Sequence, residues 1–268
     1  MVELFENDIR FQDYPSSRGN QLKFERNDLW YKTDYLGYEG LAEYTVSELL
    51  RFSDLKMTEY VSYDLEQIRC HDTVFNGCKS RDFTGKFNLI TLERLFQNAY
   101  GQSLNKIIYS TEDHIDRLRI LTEQVERITG LTNFGSYMSK LLTIDALFLN
   151  EDRHTHNMAI MTDLKGTFRL APIFDNGACL LSDTRIEYPL SGDVFQQIGR
   201  VKPKTFCDSF DEQLEIAEKL YGLHIRFHFS YEDVKEIVDK AKNYTEDTRS
   251  RVIEIIMQMR RKYAYLFD

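Results

Sequence analysis

One short span limits what this chain can fold into more than any other. It is Asn150-Glu151-Asp152-Arg153-His154-Thr155-His156-Asn157, followed by Leu170-Ala171-Pro172-Ile173-Phe174-Asp175-Asn176-Gly177. Asp152 and Asn157 stand five positions apart across a polar stretch without helical period. Residues 158–161 and 167–171 read as two short strands, so Asp175 falls just past a hairpin. A fold that uses this span needs a rigid element leading into residue 150 and a hairpin between 157 and 175. The residue types suit phosphoryl transfer, which needs one carboxylate to orient an attacking hydroxyl. It also needs an amide oxygen and a second carboxylate to hold Mg²⁺. Asp152 is the candidate base; Asn157 and Asp175 are the candidate metal ligands.

The rest of the pattern supplies such a frame. Residues 21–24, 28–33, 58–65 and 73–77 mix aromatic and β-branched side chains and are flanked by turn formers, which predicts short strands. Between the second and third, residues 41–52 place Leu41, Tyr44 or Thr45, Leu49 and Phe52 at helical spacing. The order suits a small antiparallel sheet with one helix packed on it. From about residue 89 the period turns helical. Residues 115–128 carry Ile115, Leu118, Leu121, Val125 and Ile128 on one stripe. Thr132 reads as the N-cap of a helix over 133–149, with Phe134, Met138, Leu141, Leu142 and Leu149 along its apolar side. That helix runs directly into the Asp152 loop. Residues 178–205 show no clear period, and helices are predicted over 210–221, 231–241 and 247–266, the last with a core-facing stripe. A composition shift at 85–89 separates residues 1–88 from 89–268. With no internal repeat and no linker, these read as two lobes of one domain.

Composition sets the bounds. A chain of 268 residues with 42% hydrophobic and 13% aromatic residues can bury a core, and 4 prolines argue against a long disordered tail. A net charge of −9 argues against general nucleic-acid binding and against adhesion to anionic lipid. Cys70, Cys78, Cys179 and Cys207 are scattered without a Cys-x-x-Cys pair, which predicts reduced, mostly buried thiols. The acidic start reads as neither signal peptide nor anchor, and no apolar run reaches the length of a membrane span. The expected location is the cytoplasm.

Phosphoryl transfer also calls for a phosphate cradle and a lysine. Ser16-Ser17-Arg18-Gly19-Asn20-Gln21-Leu22-Lys23 is a polar turn entering a strand; it reads either as a backbone cradle for phosphate or as a plain hairpin. Lys32 alternates with apolar neighbours in its strand, and Glu43 or Glu48 on the next helix would hold it by an ion pair. Lys23 is the second candidate for the phosphate contact. His154 and His156 have no ligand set with zinc spacing nearby, so His154 reads as a brace for the loop backbone. Arg153 partners either a phosphate or a carboxylate, and Glu151 reads as solvated.

Asn150-x-Asp152-x-His154-x-x-Asn157 with Leu170-Ala171-Pro172-Ile173-Phe174-Asp175 resembles the C-terminal region of HipA-like serine/threonine kinases. Ser16-x-x-Gly19-x-Gln21-x-Lys23 resembles their phosphate-binding loop, and the likeness runs over roughly residues 10–225. It implies an α+β, bilobed protein-kinase-like fold: a small antiparallel β-sheet N-lobe with one helix, and a mainly helical C-lobe. It implies ATP and Mg²⁺ as cofactors and a protein Ser or Thr as acceptor. By position, Asp152 would be the base, with Asn157 and Asp175 the magnesium ligands. Lys32 would be the phosphate-contacting lysine and Glu43 its helix partner, with Ser17, Gly19, Gln21 and Lys23 lining the phosphate loop. Residues 79–83, with Lys79, Arg81 and Phe83, would form the hinge beside adenine. Ser16, with Ser17 beside it, occupies the place of a serine whose autophosphorylation disables nucleotide binding. Leu149 stands where the family usually has glycine. The implied partners are a protein substrate and an antitoxin or other regulatory protein, with neither direct nucleic-acid nor membrane contact. Asp152-Arg153-His154-x-x-Asn157 is also similar to the catalytic loop of phosphatidylinositol 3- and 4-kinases. A lipid or small-molecule kinase, and a nucleotide-binding pseudokinase regulating a partner, are therefore the alternatives.

Overall fold

A computed structural model of the protein describes residues 1–10 and 21–268. The chain runs β1 (Val2–Leu4), β2 (Lys23–Arg26), β3 (Leu29–Thr33), α1 (Glu39–Leu50), β4 (Asp64–Cys70), β5 (Thr73–Arg81) and β6 (Asn88–Thr91). Helices α2 (Leu92–Tyr100), α3 (Leu104–Ser110), α4 (His114–Thr129) and α5 (Phe134–Phe148) come next, then β7 (Ala159–Thr162) and β8 (Phe168–Leu170). The remainder is α6 (Val194–Ile198), α7 (Phe210–Tyr221), α8 (Tyr231–Asp239) and α9 (Glu246–Lys262). Internal contacts group the chain into two compact units. The first is Met1–Phe83, Asp175–Val201 and Arg226–Asp268; the second is Thr84–Phe174 and Lys202–Ile225.

The first unit is built on a sheet of order β1-β4-β5-β3-β2. Its pairings are antiparallel except that β1 lies parallel to β4. Asn27 and Asp28 both take positive φ, 53° and 60°, which suits the tight turn joining β2 to β3. Strand alternation does the sorting. Tyr31 packs with Leu4, Phe24, Ile68 and Cys70 on one face, while Lys32 points to the face that α1 covers. Helix α1 is buried on nearly every side and approaches β5 closely at Gly40. A Cβ at Gly40 would sit 2.5 Å from the Gly77 carbonyl carbon, so any side chain there forces the helix off the sheet. The expected strand over 58–65 begins instead at Asp64. Val61 and Tyr63 are buried outside any strand, and the Tyr63 N–H donates to Ser47 Oγ on α1 at 3.1 Å.

Just after β3, Asp34 accepts the Gly40 N–H at 2.6 Å and the Tyr244 hydroxyl at 2.8 Å. Burial pushes its carboxyl up to about 7, against the pull of the Gly40 hydrogen bond. A raised carboxyl favours the folded state while protonated, so this contribution is full below the ordinary value and fades as pH rises towards 7. Asp34→Asn keeps the shape without the buried charge. Its stability should gain on wild type by roughly 3 kcal/mol between pH 5 and pH 8, and its melting temperature with it. Thermal melts at the two pH values check this; an equal difference at both refutes it.

In the second unit, β6-β7-β8 form an antiparallel sheet and α4, α5 and α7 pack together. Helix α5 carries no side-chain cap of its own, contrary to the expected Thr132 cap. Glu126, from the last turn of α4, accepts the Phe134 and Gly135 N–H groups at 3.1 and 3.3 Å instead. All four cysteines are free and buried, as expected. Among the described residues, no helix is long and apolar enough to cross a membrane.

Candidate active site

Within the first unit, three separate segments bring charges together. Lys32 Nζ on β3 lies 2.5 Å from Glu43 Oε1 on α1 and 2.7 Å from Asp175 Oδ1, 143 residues along the chain. The other Glu43 oxygen accepts the Asn176 N–H at 2.8 Å, so one buried carboxylate fixes both the lysine and the corner at Asp175. Glu48, the other candidate partner, pairs with Arg51 on the surface. Asp175 takes φ 62°, a left-handed conformation unusual for a residue with a Cβ. Such local strain persists where surrounding contacts over-determine it, and Lys32 and Glu43 supply those contacts. Burial pulls the Lys32 ammonium down, but Asp175 and Glu43 outweigh it and hold its pKa well above the ordinary value. Lys32 therefore stays charged.

Lys23 is the direct cross-strand neighbour of Lys32. Burial draws its pKa below the ordinary value; Asp175 opposes that and Lys32 reinforces it. Lys23 and Lys32 face Asp175 and Glu43, two ammonium groups against two carboxylates, so the cluster is balanced in charge. Gln21 donates to the Thr33 carbonyl at 2.9 Å, tying the start of β2 to the end of β3. Lys79 on β5 is held 3.0 Å from Glu66; Arg81 ends that strand, and Phe83 is the last residue of the first unit before the chain passes to the second. Ser16, Ser17 and Gly19 lie outside the described residues.

The second unit carries the Asp152 loop. Helix α5 ends at Leu149 with φ 58°, a left-handed conformation that glycine reaches freely and leucine rarely takes. Asp145 in the last turn of α5 organises the loop beyond the helix. Arg153 donates to it from Nε and Nη2, at 3.0 Å each, and Asn150 Nδ2 donates to it at 3.0 Å. Arg153 Nη1 then reaches the carbonyls of Asn157 at 3.2 Å and Phe174 at 2.8 Å. Arg153 thus serves a carboxylate rather than a phosphate. It braces the loop and also the residue that precedes Asp175 in the chain.

Asn150 Oδ1 accepts the Asp152 N–H at 3.2 Å, and Asn157 Nδ2 donates to the Asp152 carbonyl at 3.0 Å. The second bond fixes the amide of Asn157, leaving Oδ1 as its acceptor end. His154 Nδ1 accepts the His156 N–H at 3.2 Å, the backbone brace expected of it. Thr155 Oγ1 anchors the loop tip at 2.9 Å from Asn105 and 3.1 Å from Glu93. Glu151 is half-buried, not solvated as expected. Asp152 itself is bonded through Oδ1 to Lys204 Nζ at 2.5 Å, a residue that no sequence pattern singles out. Lys204 sits in the stretch without period, so nothing in its surroundings marks it.

Elsewhere in this unit His114, Cys207 and Glu212 bring three potential ligand atoms close together. His114 Nδ1 and Glu212 Oε1 already share a hydrogen bond at 2.6 Å. Burial, with Glu212 adding to it, pushes the Cys207 thiol up to about 12. The thiol is neutral and the trio links α4 to α7.

A sheet-based unit presenting a lysine–glutamate pair, together with a helix-led loop bearing Asp and Asn five apart, defines a protein-kinase-like fold. No family model matches the chain, and none of the curated proteins does. Among solved structures it is similar to the Helicobacter pylori proinflammatory kinase CtkA. The TM-score is 0.58 at 14% identity, over 99% of this chain and 96% of that one. It is also similar to a chain of the Shewanella oneidensis MR-1 toxin–antitoxin complex of HipA, HipB and operator DNA. There the TM-score is 0.48 at 12% identity, over 95% of this chain and 62% of that one. The CtkA likeness agrees with the fold implied by the sequence resemblance.

Proposed function

We propose that this protein is an ATP- and Mg²⁺-dependent kinase that transfers phosphate to Ser or Thr of a protein. The observation that carries the reading is the Lys32 ammonium held between Glu43 and Asp175, a charged centre with no other evident use on a buried sheet face. A nucleotide triphosphate needs fixed positive charge and its metal needs hard oxygen donors; Lys32, Lys23, Asp175 and Asn157 are of those types.

In this reading Asp152 accepts the proton of the acceptor hydroxyl. The hydroxyl oxygen forms a bond to the γ-phosphorus as the bridging P–O bond to the β-phosphate breaks, and the electron pair leaves with ADP. Lys32 supplies positive charge to the phosphates, with Glu43 keeping the ammonium in place. Bound Mg²⁺ would neutralise phosphate charge; Asn157 Oδ1 and the Asp175 carboxylate are the oxygens this chain offers it. Gln21 and Lys23 belong to the phosphate loop with Ser17 and Gly19, and Lys79, Arg81 and Phe83 to the adenine side. Ser16 or Ser17 is the site of inhibitory autophosphorylation.

A protein acceptor is favoured over a phosphoinositide because a net charge of −9 repels anionic lipid. One preparation incubated with labelled ATP and Mg²⁺ against both a protein panel and phosphoinositide vesicles tests the choice. Label in protein, on hydroxyls stable to the conditions that cleave acyl phosphates, is expected. Label in lipid alone refutes it.

A further inference from the structure

We propose that Lys204 is a catalytic residue of the Asp152 loop, its ammonium orienting the carboxylate and lending positive charge to the phosphoryl group in transfer. This rests on the kinase reading above and adds a residue to it. The distance is direct: Lys204 Nζ lies 2.5 Å from Asp152 Oδ1, while Oδ2 faces His154 Nε2 at 3.8 Å. The lysine is presented by the backbone bonds around it. Thr205 Oγ1 donates to the Arg153 carbonyl at 2.6 Å, Tyr109 donates to the Lys204 carbonyl at 3.2 Å, and Arg117 donates to the Phe206 carbonyl at 3.4 Å. Three consecutive residues are thus pinned, and Thr205 is pinned to the loop that carries Asp152.

Stability does not account for this pair. The Lys204 side chain is 43% exposed, and ion pairs so open to water add little to folding. Reaction chemistry accounts for it better. An ammonium has three donors, and the bond to Asp152 uses one. A hydroxyl bonded to Asp152 and about to attack phosphorus necessarily places the phosphoryl oxygens a few ångströms from that carboxylate, within reach of the other two donors. Arg153, although next to Asp152 in sequence, is committed to Asp145 and to two carbonyls and offers nothing to a substrate.

The test is steady-state kinetics of labelled phosphate transfer from ATP·Mg²⁺ to the best acceptor, or to the chain itself, with thermal melts in parallel. Lys204→Met should lower kcat about 10²-fold with little change in KM for ATP and an unaltered melting temperature. Lys204→Arg should recover part of the loss, because it restores a cation. Wild-type kcat in Lys204→Met overturns the proposal and leaves the kinase reading standing; so does a higher kcat, which would make the pair inhibitory. A fall in melting temperature that Lys204→Arg does not repair makes the residue structural and also overturns it. No transfer by the wild-type protein overturns both.

Discussion

Asp152→Asn is expected to lower phosphoryl transfer by about 10²–10⁴-fold, the range a positioned general base supplies, while the protein melts where the wild type does. The amide is isosteric with the carboxylate and sits in the same backbone bonds, from the Asp152 N–H to Asn150 Oδ1 and from Asn157 Nδ2 to the Asp152 carbonyl. Neither bond involves the altered atoms. The partner left behind, Lys204, is exposed enough to be solvated. What disappears is the ability to take a proton. Initial rates with labelled ATP, set beside thermal melts, separate the two effects. A folded Asp152→Asn protein with wild-type rates would mean that another group is the base.

Arg153→Met should behave in the opposite way and damage the fold first. Arg153 is 4% exposed and Asp145 is 0% exposed, and their two-point contact is the hub of the loop. Removing one member of a buried pair typically destabilises by about 3–5 kcal/mol, because the remaining charge stays desolvated. The carbonyls of Asn157 and Phe174 lose their donor as well. Burial already lifts the Asp145 carboxyl above its ordinary pKa, with Arg153 pulling the other way. Without the guanidinium only the Asn150 hydrogen bond opposes that lift. The variant should therefore be least stable at neutral and alkaline pH and recover part of its stability as acid protonates Asp145. Urea unfolding at pH 5 and pH 8 reads this directly. A loss below about 1 kcal/mol at pH 8 would show that the pair is not the hub.

The range of each interaction decides how much of this is legible in the chain. Helix α7 matches the expected 210–221, and α5 differs from 133–149 only at its ends, because apolar period is a local property written in the segment itself. The loop residues Asp152, His154 and Asn157 are likewise readable, since their bonds join residues within a few positions. Strand β1 is not: three residues carry no period, and only the parallel pairing with β4 makes them a strand. Val61 and Tyr63, just before Asp64, imitate a strand because burial, not pairing, selects their side chains. Sequence spacing offers Lys32 two partners, and the placement of α1 over the sheet selects Glu43. Lys204 is illegible for the same reason in stronger form. Its bond spans 52 residues from an irregular stretch, and nothing near it in sequence announces the carboxylate it meets.

The central claim is that this chain moves the γ-phosphate of ATP, and intact-mass spectrometry tests it most directly. The wild-type protein should be incubated with ATP and Mg²⁺, alone and with a panel of folded protein acceptors. At least one phosphate should appear on the chain or on an acceptor, and none when Mg²⁺ is withheld or when Asp152→Asn or Asp175→Asn replaces the wild type. Unmodified masses throughout with the wild-type protein, or equal modification by the two variants, would contradict the account.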